Sequence, residues 1–215
     1  MAIPLGVRRQ PLPENQDEWR RRRFQDRFLQ QLDVEIAGDV LDVGCMDGRF
    51  TARFAERARS VVGLDIVPHT IWERLRGPNL RFVVGDAQRL PFADAAFDVV
   101  LAVAMLHHTA SPISVIREMA RVRRPGGTLV MVEPNRLNPV TWLHLTLFSD
   151  HDHFRTKPFI RLVDRVLPIQ RFHRFEAHLW PPGDGPLLRA LERMDDALGG
   201  TRWWRPFALW NVVLA

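Results

Sequence analysis

Three carboxylates, two glycines and two pairs of histidines carry most of the chemistry that can be read from this chain. In Val40-Leu41-Asp42-Val43-Gly44-Cys45-Met46-Asp47-Gly48-Arg49-Phe50, an apolar run delivers Asp42 into a tight turn that opens a helix. Glycine suits such a turn because the backbone must pass close to a ligand. A second acid, Asp65, closes the next apolar run 21 positions after Gly44. At the end of a parallel strand such an acid accepts hydrogen bonds from both hydroxyls of a ribose, which favours an unphosphorylated adenosine group. A third acid, Asp86, follows Arg81-Phe82-Val83-Val84-Gly85 in the same position relative to its own run.

These features fit either a dinucleotide or S-adenosylmethionine. A dinucleotide fingerprint needs G-x-G-x-x-G to seat a pyrophosphate on a helix N-terminus, whereas Gly44 and Gly48 are the only glycines of this turn. Further along come Leu90-Pro91-Phe92, Phe97-Asp98-Val99-Val100, Leu106-His107-His108 and Val122-Arg123-Arg124-Pro125-Gly126-Gly127-Thr128-Leu129. From about Asp39 to Pro134, in order and spacing, the chain resembles the class I S-adenosylmethionine-dependent methyltransferases, in particular the small-molecule group that includes the ubiquinone and menaquinone biosynthesis enzymes. The resemblance implies S-adenosylmethionine as cofactor. It places Asp42 near the cofactor's amino-acid end, and Gly44, Cys45 and Gly48 in the turn around it. Asp65, with Ile66 beside it, holds the ribose diol; Asp86 meets the adenine amino group, with the Ala87 N–H facing the ring. Ala102 and its neighbours border the methionine part. Met46 departs from the pattern, standing where the family usually has a middle glycine, and a side chain there is expected to crowd the cofactor.

Methyl transfer asks little of side chains beyond in-line alignment and exclusion of water, because the sulfonium is already electrophilic. A base is needed when the acceptor is a hydroxyl or a protonated amine, and histidine suits that role. His107 and His108 are the first candidates, their alternative being hydrogen bonds that merely pack the loop. His151 and His153, within Asp150-His151-Asp152-His153, are the second. In an extended segment the latter two share a face and could bind a metal if a third ligand came from elsewhere. No third ligand is identifiable, so no metal site is expected.

Elements that would hold these residues can be read from periodicity. Short apolar runs at 39–43, 60–66, 80–84, 97–102 and 128–132 alternate with helical segments, as in parallel strands covered on both faces. The clearest helix starts at Ser111-Pro112, with Ser as N-cap and Pro at the first helical position, and Pro125-Gly126-Gly127 turns the chain into the next strand. From Glu14 an amphipathic helix presents Trp19, Phe24, Phe28, Leu29 and Leu32, with Arg20 to Arg23 on other faces. After Val132, helices are expected at 139–148, from Thr156 to about Leu167 and at 187–198, and strands at 171–180 and 207–214. The expected fold is α/β, a Rossmann-like doubly wound sheet of about seven strands, mostly parallel with an antiparallel C-terminal strand. Residues 1–13 read as a loose arm and 14–215 as one methyltransferase domain, with a lid and acceptor region around 135–180.

Composition bounds the function classes. The chain has 215 residues, 46% apolar and 26% charged, enough for one cored domain and too apolar for disorder. Its single cysteine, Cys45, excludes an intramolecular disulfide. No run suits a membrane span or a signal-peptide core, so a cytoplasmic location is expected, with peripheral membrane contact open. Lys157 is the only lysine, so the net charge of +5 is carried by arginine and points only weakly to nucleic acid. The expected activity is methyl transfer to a small or lipid-like acceptor, at oxygen ahead of carbon and nitrogen. The alternatives are a non-catalytic S-adenosylmethionine-binding scaffold or regulator, and an RNA methyltransferase. For the latter the chain reads Ala102-Val103-Ala104-Met105 where many base-amino enzymes carry an Asn/Asp-Pro-Pro-aromatic tetrapeptide.

Overall fold

The computed structural model describes residues 16–139, 142, 155–175, 205–208 and 210–215, with single positions 186, 190, 193, 197 and 201 between them. Helix α1 (Gln16–Leu32) leads into β1 (Asp39–Val43). The chain continues through α2 (Thr51–Phe54), β2 (Ser60–Asp65), α3 (Trp72–Leu75), β3 (Leu80–Val84) and β4 (Phe97–Val103). A 3-10 turn (Leu106–His108) precedes α4 (Pro112–Val122) and β5 (Arg123–Pro134). Helix α5 (Thr156–Asp164), β6 (Arg171–Phe175), a second 3-10 turn (Arg205–Phe207) and β7 (Trp210–Leu214) complete the described elements.

The seven strands form one sheet in the order β3-β2-β1-β4-β5-β7-β6. Neighbours from β3 to β5 pair in parallel, and β7 runs antiparallel to both β5 and β6. The chain steps outward from β1 to β2 and β3, then returns to place β4 on the other side of β1. Between β1 and β4 the connections therefore leave in opposite directions, and a crevice opens at the carboxyl ends of these strands.

Two apolar layers cover the sheet. On one face, Val40, Val61, Leu101, Val132 and Val212 pack under α1. Phe28 of α1 is only 1% exposed. Its ring meets Phe50, Phe175 and Trp210 edge-on at 5.2, 5.0 and 5.4 Å. On the other face, Val115, Ile116, Met119 and Val122 of α4 join Phe159 and Val163 of α5 against Leu41, Val100, Met131 and Val213. Strand residues buried on both sides are why these runs are apolar at almost every position.

Several boundaries differ from the sequence reading. β5 begins at Arg123, not 128: Arg123 pairs with Phe97, the register shifts, and pairing resumes at Val99 with Thr128. Pro125-Gly126-Gly127 is thus an irregularity within the strand rather than a turn before it. A Cβ on Gly127 would lie 2.6 Å from the Asp98 carbonyl oxygen, so only glycine lets the two strands meet there. β2 stops at Asp65, leaving Ile66 outside the sheet and 67% exposed. The last strand starts at Trp210, because Phe207 belongs to the preceding 3-10 turn. Ser111 stands at the start of α4 but makes no side-chain cap; its hydroxyl pairs with the Ser114 hydroxyl at 2.8 Å. Most of the expected helices at 139–148 and 187–198 lie outside the described residues.

Candidate active site

The carboxyl end of β1 is dominated by a buried acid. Asp42 is 3% exposed and pairs in register with Gly63 of β2 and Leu101 of β4. The Thr51 hydroxyl donates to its Oδ2 at 2.6 Å. Burial raises its pKa from an ordinary 3.8 to about 7 against the pull of Thr51, and the neighbouring charge of Asp65 adds to the rise. Burial also pushes the Cys45 thiol up, so it is packing rather than a nucleophile.

The turn after β1 is left-handed at three residues. Gly44 and Gly48 have φ of +78°, and Met46 between them has φ of +47°. A Cβ on Gly44 would sit 2.7 Å from the Met105 Cβ, and one on Gly48 2.4 Å from the Phe82 ring. Both positions need glycine for space as well as for φ. Met46 adopts that conformation at a steric cost, and its side chain is 69% exposed. Its backbone is tied down on both sides: its N–H donates to Asp65 Oδ2 at 2.8 Å, and its carbonyl accepts from Trp72 Nε1 at 2.9 Å. Trp72 in turn stacks on Phe82, rings 5.0 Å apart and 11° from parallel.

Asp65 thus braces the glycine turn from the neighbouring strand, while its Oδ1 accepts the Val67 N–H at 3.1 Å. Each oxygen keeps a lone pair for another donor. Asp86, exposed after β3, caps its own loop through the Gln88 N–H at 2.8 Å, with half-buried Ala87 following. Around these acids stand Met46, Ile66, Val67 and Val84, all more than half exposed. Polar acceptors on an uncovered apolar rim suit a flat ring joined to a sugar.

The structure does not place every expected residue at an open surface. Ala102 is 0% exposed, inside β4 between Val43 and Met131. The residues after it form the border instead. Ala104 turns the chain with φ of +52°, and the Met105 side chain lies against Gly44. The two histidines then part: His108 is exposed, whereas the His107 side chain is 2% exposed. His107 Nδ1 lies 2.5 Å from Oε2 of Glu133, whose side chain is fully buried. Oε1 of Glu133 accepts the Leu106 N–H at 2.9 Å. The sequence reading missed Glu133, although it is a fourth acid at a strand end, beside Pro134, and the rule that found Asp42, Asp65 and Asp86 would have found it. His151, His153 and their flanking aspartates lie outside the described residues. Among the described residues no group of three His, Cys, Asp or Glu side chains could hold a metal ion.

Residues 41–131 match the family model described as a methyltransferase domain. Over 139 residues the chain is 35% identical to a protein of Mycolicibacterium smegmatis described as a probable S-adenosylmethionine-dependent methyltransferase, covering 63% of this chain and 53% of that one. It is 41% identical over 95 residues to the demethylmenaquinone methyltransferase of Beutenbergia cavernae, covering 44% and 40%. The chain spans about half the length of the curated relatives it matches. The fold is similar to that of the S-adenosylmethionine-dependent methyltransferase from Mesorhizobium loti, with a TM-score of 0.64 at 17% identity over 89% of this chain and 96% of that one. The matched methyltransferase segment contains the glycine turn, Asp65, Asp86 and His107; Glu133 lies just beyond it.

Proposed function

We propose that the chain transfers a methyl group from S-adenosylmethionine to an oxygen of a small or lipid-like acceptor. The observation that carries this reading is the meeting, at the carboxyl ends of adjacent strands, of Asp42, Asp65 and Asp86 with a glycine turn that no bulkier backbone could make. The residues fit the cofactor: a buried carboxyl at about pKa 7 can ionise when a cationic amino-acid group approaches, Asp65 has lone pairs for a ribose diol, and Asp86 with the Ala87 N–H can pair with an adenine edge. Cys45, Ile66 and Ala102 support these groups from the turn, the rim and the sheet.

When bound, S-adenosylmethionine supplies an electrophilic methyl carbon; the chain supplies position and a proton acceptor. His107, held through Nδ1 on Glu133 Oε2, would take the proton of an acceptor hydroxyl, and the buried carboxylate would stabilise the imidazolium so formed. The short contact and the Leu106 N–H on the second oxygen hold that arrangement without reorganisation. His108 remains the alternative on the exposed side of the same turn, and His151 and His153, outside the described residues, are the second pair of candidates. The similarity to demethylmenaquinone methyltransferases supports an aromatic, lipid-like acceptor.

Calorimetry with S-adenosylmethionine, followed by methyl release onto a panel of phenols and reduced naphthoquinols, tests this reading. Asp65→Ala is expected to weaken the cofactor about tenfold or more, by the ~1.5–3 kcal/mol of a charge-assisted hydrogen bond. Cofactor binding without methyl release to any acceptor would favour a scaffold, and no binding would end the proposal.

A further inference from the structure

The segment that follows Asp86 is gripped by a helix that lends no side chain to the site. Asp86 starts a tight turn: its Oδ1 accepts the Gln88 N–H at 2.8 Å, and its carbonyl accepts the Arg89 N–H at 3.0 Å. At one end this turn is fixed to the sheet, where the Gly85 N–H donates to the Asp65 carbonyl at 2.9 Å. At the other end stands Leu90, 3% exposed, whose backbone finds both partners on α4, 28 and 31 positions further along the chain. Its N–H donates to Glu118 Oε2 at 2.8 Å, and its carbonyl accepts from Arg121 Nη2 at 3.0 Å.

Glu118 and Arg121, three apart on one face of α4, act as a unit. Arg121 Nε and Nη2 donate to the two oxygens of Glu118 at 2.9 and 2.7 Å. Nη1 donates to the Phe92 carbonyl at 2.9 Å and to Asp94 Oδ1 at 2.7 Å. With the bond to Leu90, all five N–H groups of the guanidinium are engaged. A lysine, with one nitrogen on a flexible stem, cannot span Glu118 and two carbonyls. The same end of α4 holds the rest of the loop, since the Ala95 and Ala96 N–H groups donate to the carbonyls of Arg121 and Val122 at 3.0 and 2.8 Å.

A surface loop ordinarily leaves its backbone polar groups to water; here a forked ion pair takes them, and so fixes whatever the loop carries. What it carries is Asp86 and Ala87. A hydrogen-bonding edge discriminates between rings only if its groups are held to within about 0.5 Å. We propose that Glu118 and Arg121 are positioning residues for adenine recognition: they set the Asp86–Leu90 turn so that the Asp86 carboxylate and the Ala87 N–H meet the ring's amino group and N1 together. The inference rests on the S-adenosylmethionine reading of Asp86 and Ala87, and gives Glu118 and Arg121 no contact with the cofactor themselves.

The test is calorimetry on the full chain with S-adenosylhomocysteine and its 6-oxo analogue, S-inosylhomocysteine. The 6-oxo ring sets an acceptor against Asp86 and an N1–H donor against the Ala87 N–H, so the parent protein should prefer S-adenosylhomocysteine roughly tenfold or more. Arg121→Gln should weaken S-adenosylhomocysteine about tenfold while leaving the 6-oxo analogue almost unchanged, erasing most of the preference. A merely structural role would weaken both ligands alike. Arg121→Lys should fall between the two proteins, and is read in place of Arg121→Gln if that variant does not fold. Without ligand, the Leu90 amide should be protected from hydrogen exchange in the parent and exchange faster in the variants. Equal affinity of the parent for the two ligands, an unchanged preference in the variants, or a Leu90 amide that exchanges no faster would overturn the inference. A parent that binds neither ligand would end the S-adenosylmethionine reading and this inference with it, whereas binding with the preference intact in the variants overturns the inference alone.

Discussion

Asp42, a buried carboxyl, and Met46, a left-handed non-glycine residue, each carry a local cost that can be measured. With its pKa raised from 3.8 to about 7, Asp42 in the folded chain holds a proton that the unfolded chain has already released. Its favourable contribution is therefore complete below about pH 4 and is lost as pH rises through 7. Asp42→Asn should flatten the fall in melting temperature between about pH 4 and 7, followed by calorimetric scans, while weakening a cationic cofactor. An unchanged pH slope would mean that other groups govern it. At Met46, the left-handed backbone costs roughly 1 kcal/mol that glycine does not incur. Met46→Gly should raise stability by about that amount and bind the cofactor at least as well, because the exposed side chain braces nothing in the core and only the backbone holds Asp65 and Trp72. Weaker binding in this variant would assign the Met46 side chain to the cofactor's rim.

Helix α1 covers one face of the sheet, and its most connected side chain is one ring. Phe28 touches aromatic rings from three other parts of the chain, so Phe28→Ala removes both burial and edge contacts and should cost about 3–5 kcal/mol in urea unfolding. S-adenosylmethionine affinity should fall as well in calorimetry, since the Phe28 ring meets Phe50 two residues after Gly48 and shares a layer with Cys45, Trp72 and Phe82. Ser111 gives the opposite case. Its place before Pro112 reads as an N-cap, but its hydroxyl bonds Ser114 rather than a helix N–H. Ser111→Ala should then cost clearly less than the ~1 kcal/mol of a lost cap, and a full loss would restore the capping role.

For the whole molecule, the crevice between β1 and β4 couples ligand binding to global stability, because the strands that carry the acids are also the centre of the sheet. A cofactor present at 100 times its Kd should raise the unfolding free energy by about 2.7 kcal/mol, and the urea midpoint should move accordingly. A smaller shift would show that the site opens without the sheet unfolding. The alternation of apolar runs with helices, the strand-end acids and the glycine spacing are local in the chain, which is why the sequence by itself determined an α/β sheet, its first five strands in order and the acids that end three of them. Their signals depend only on periodicity, on backbone conformation and on which side chain ends each strand. Tertiary structure alone decided what depends on residues far apart: that β5 starts at Arg123, that Gly127 must clear the Asp98 carbonyl, that Ala102 is sealed between two strands, and that His107 meets Glu133 from 26 positions away. Packing across the sheet sets these, since burial and pairing partners are properties of neighbours in space that no periodicity along the chain encodes.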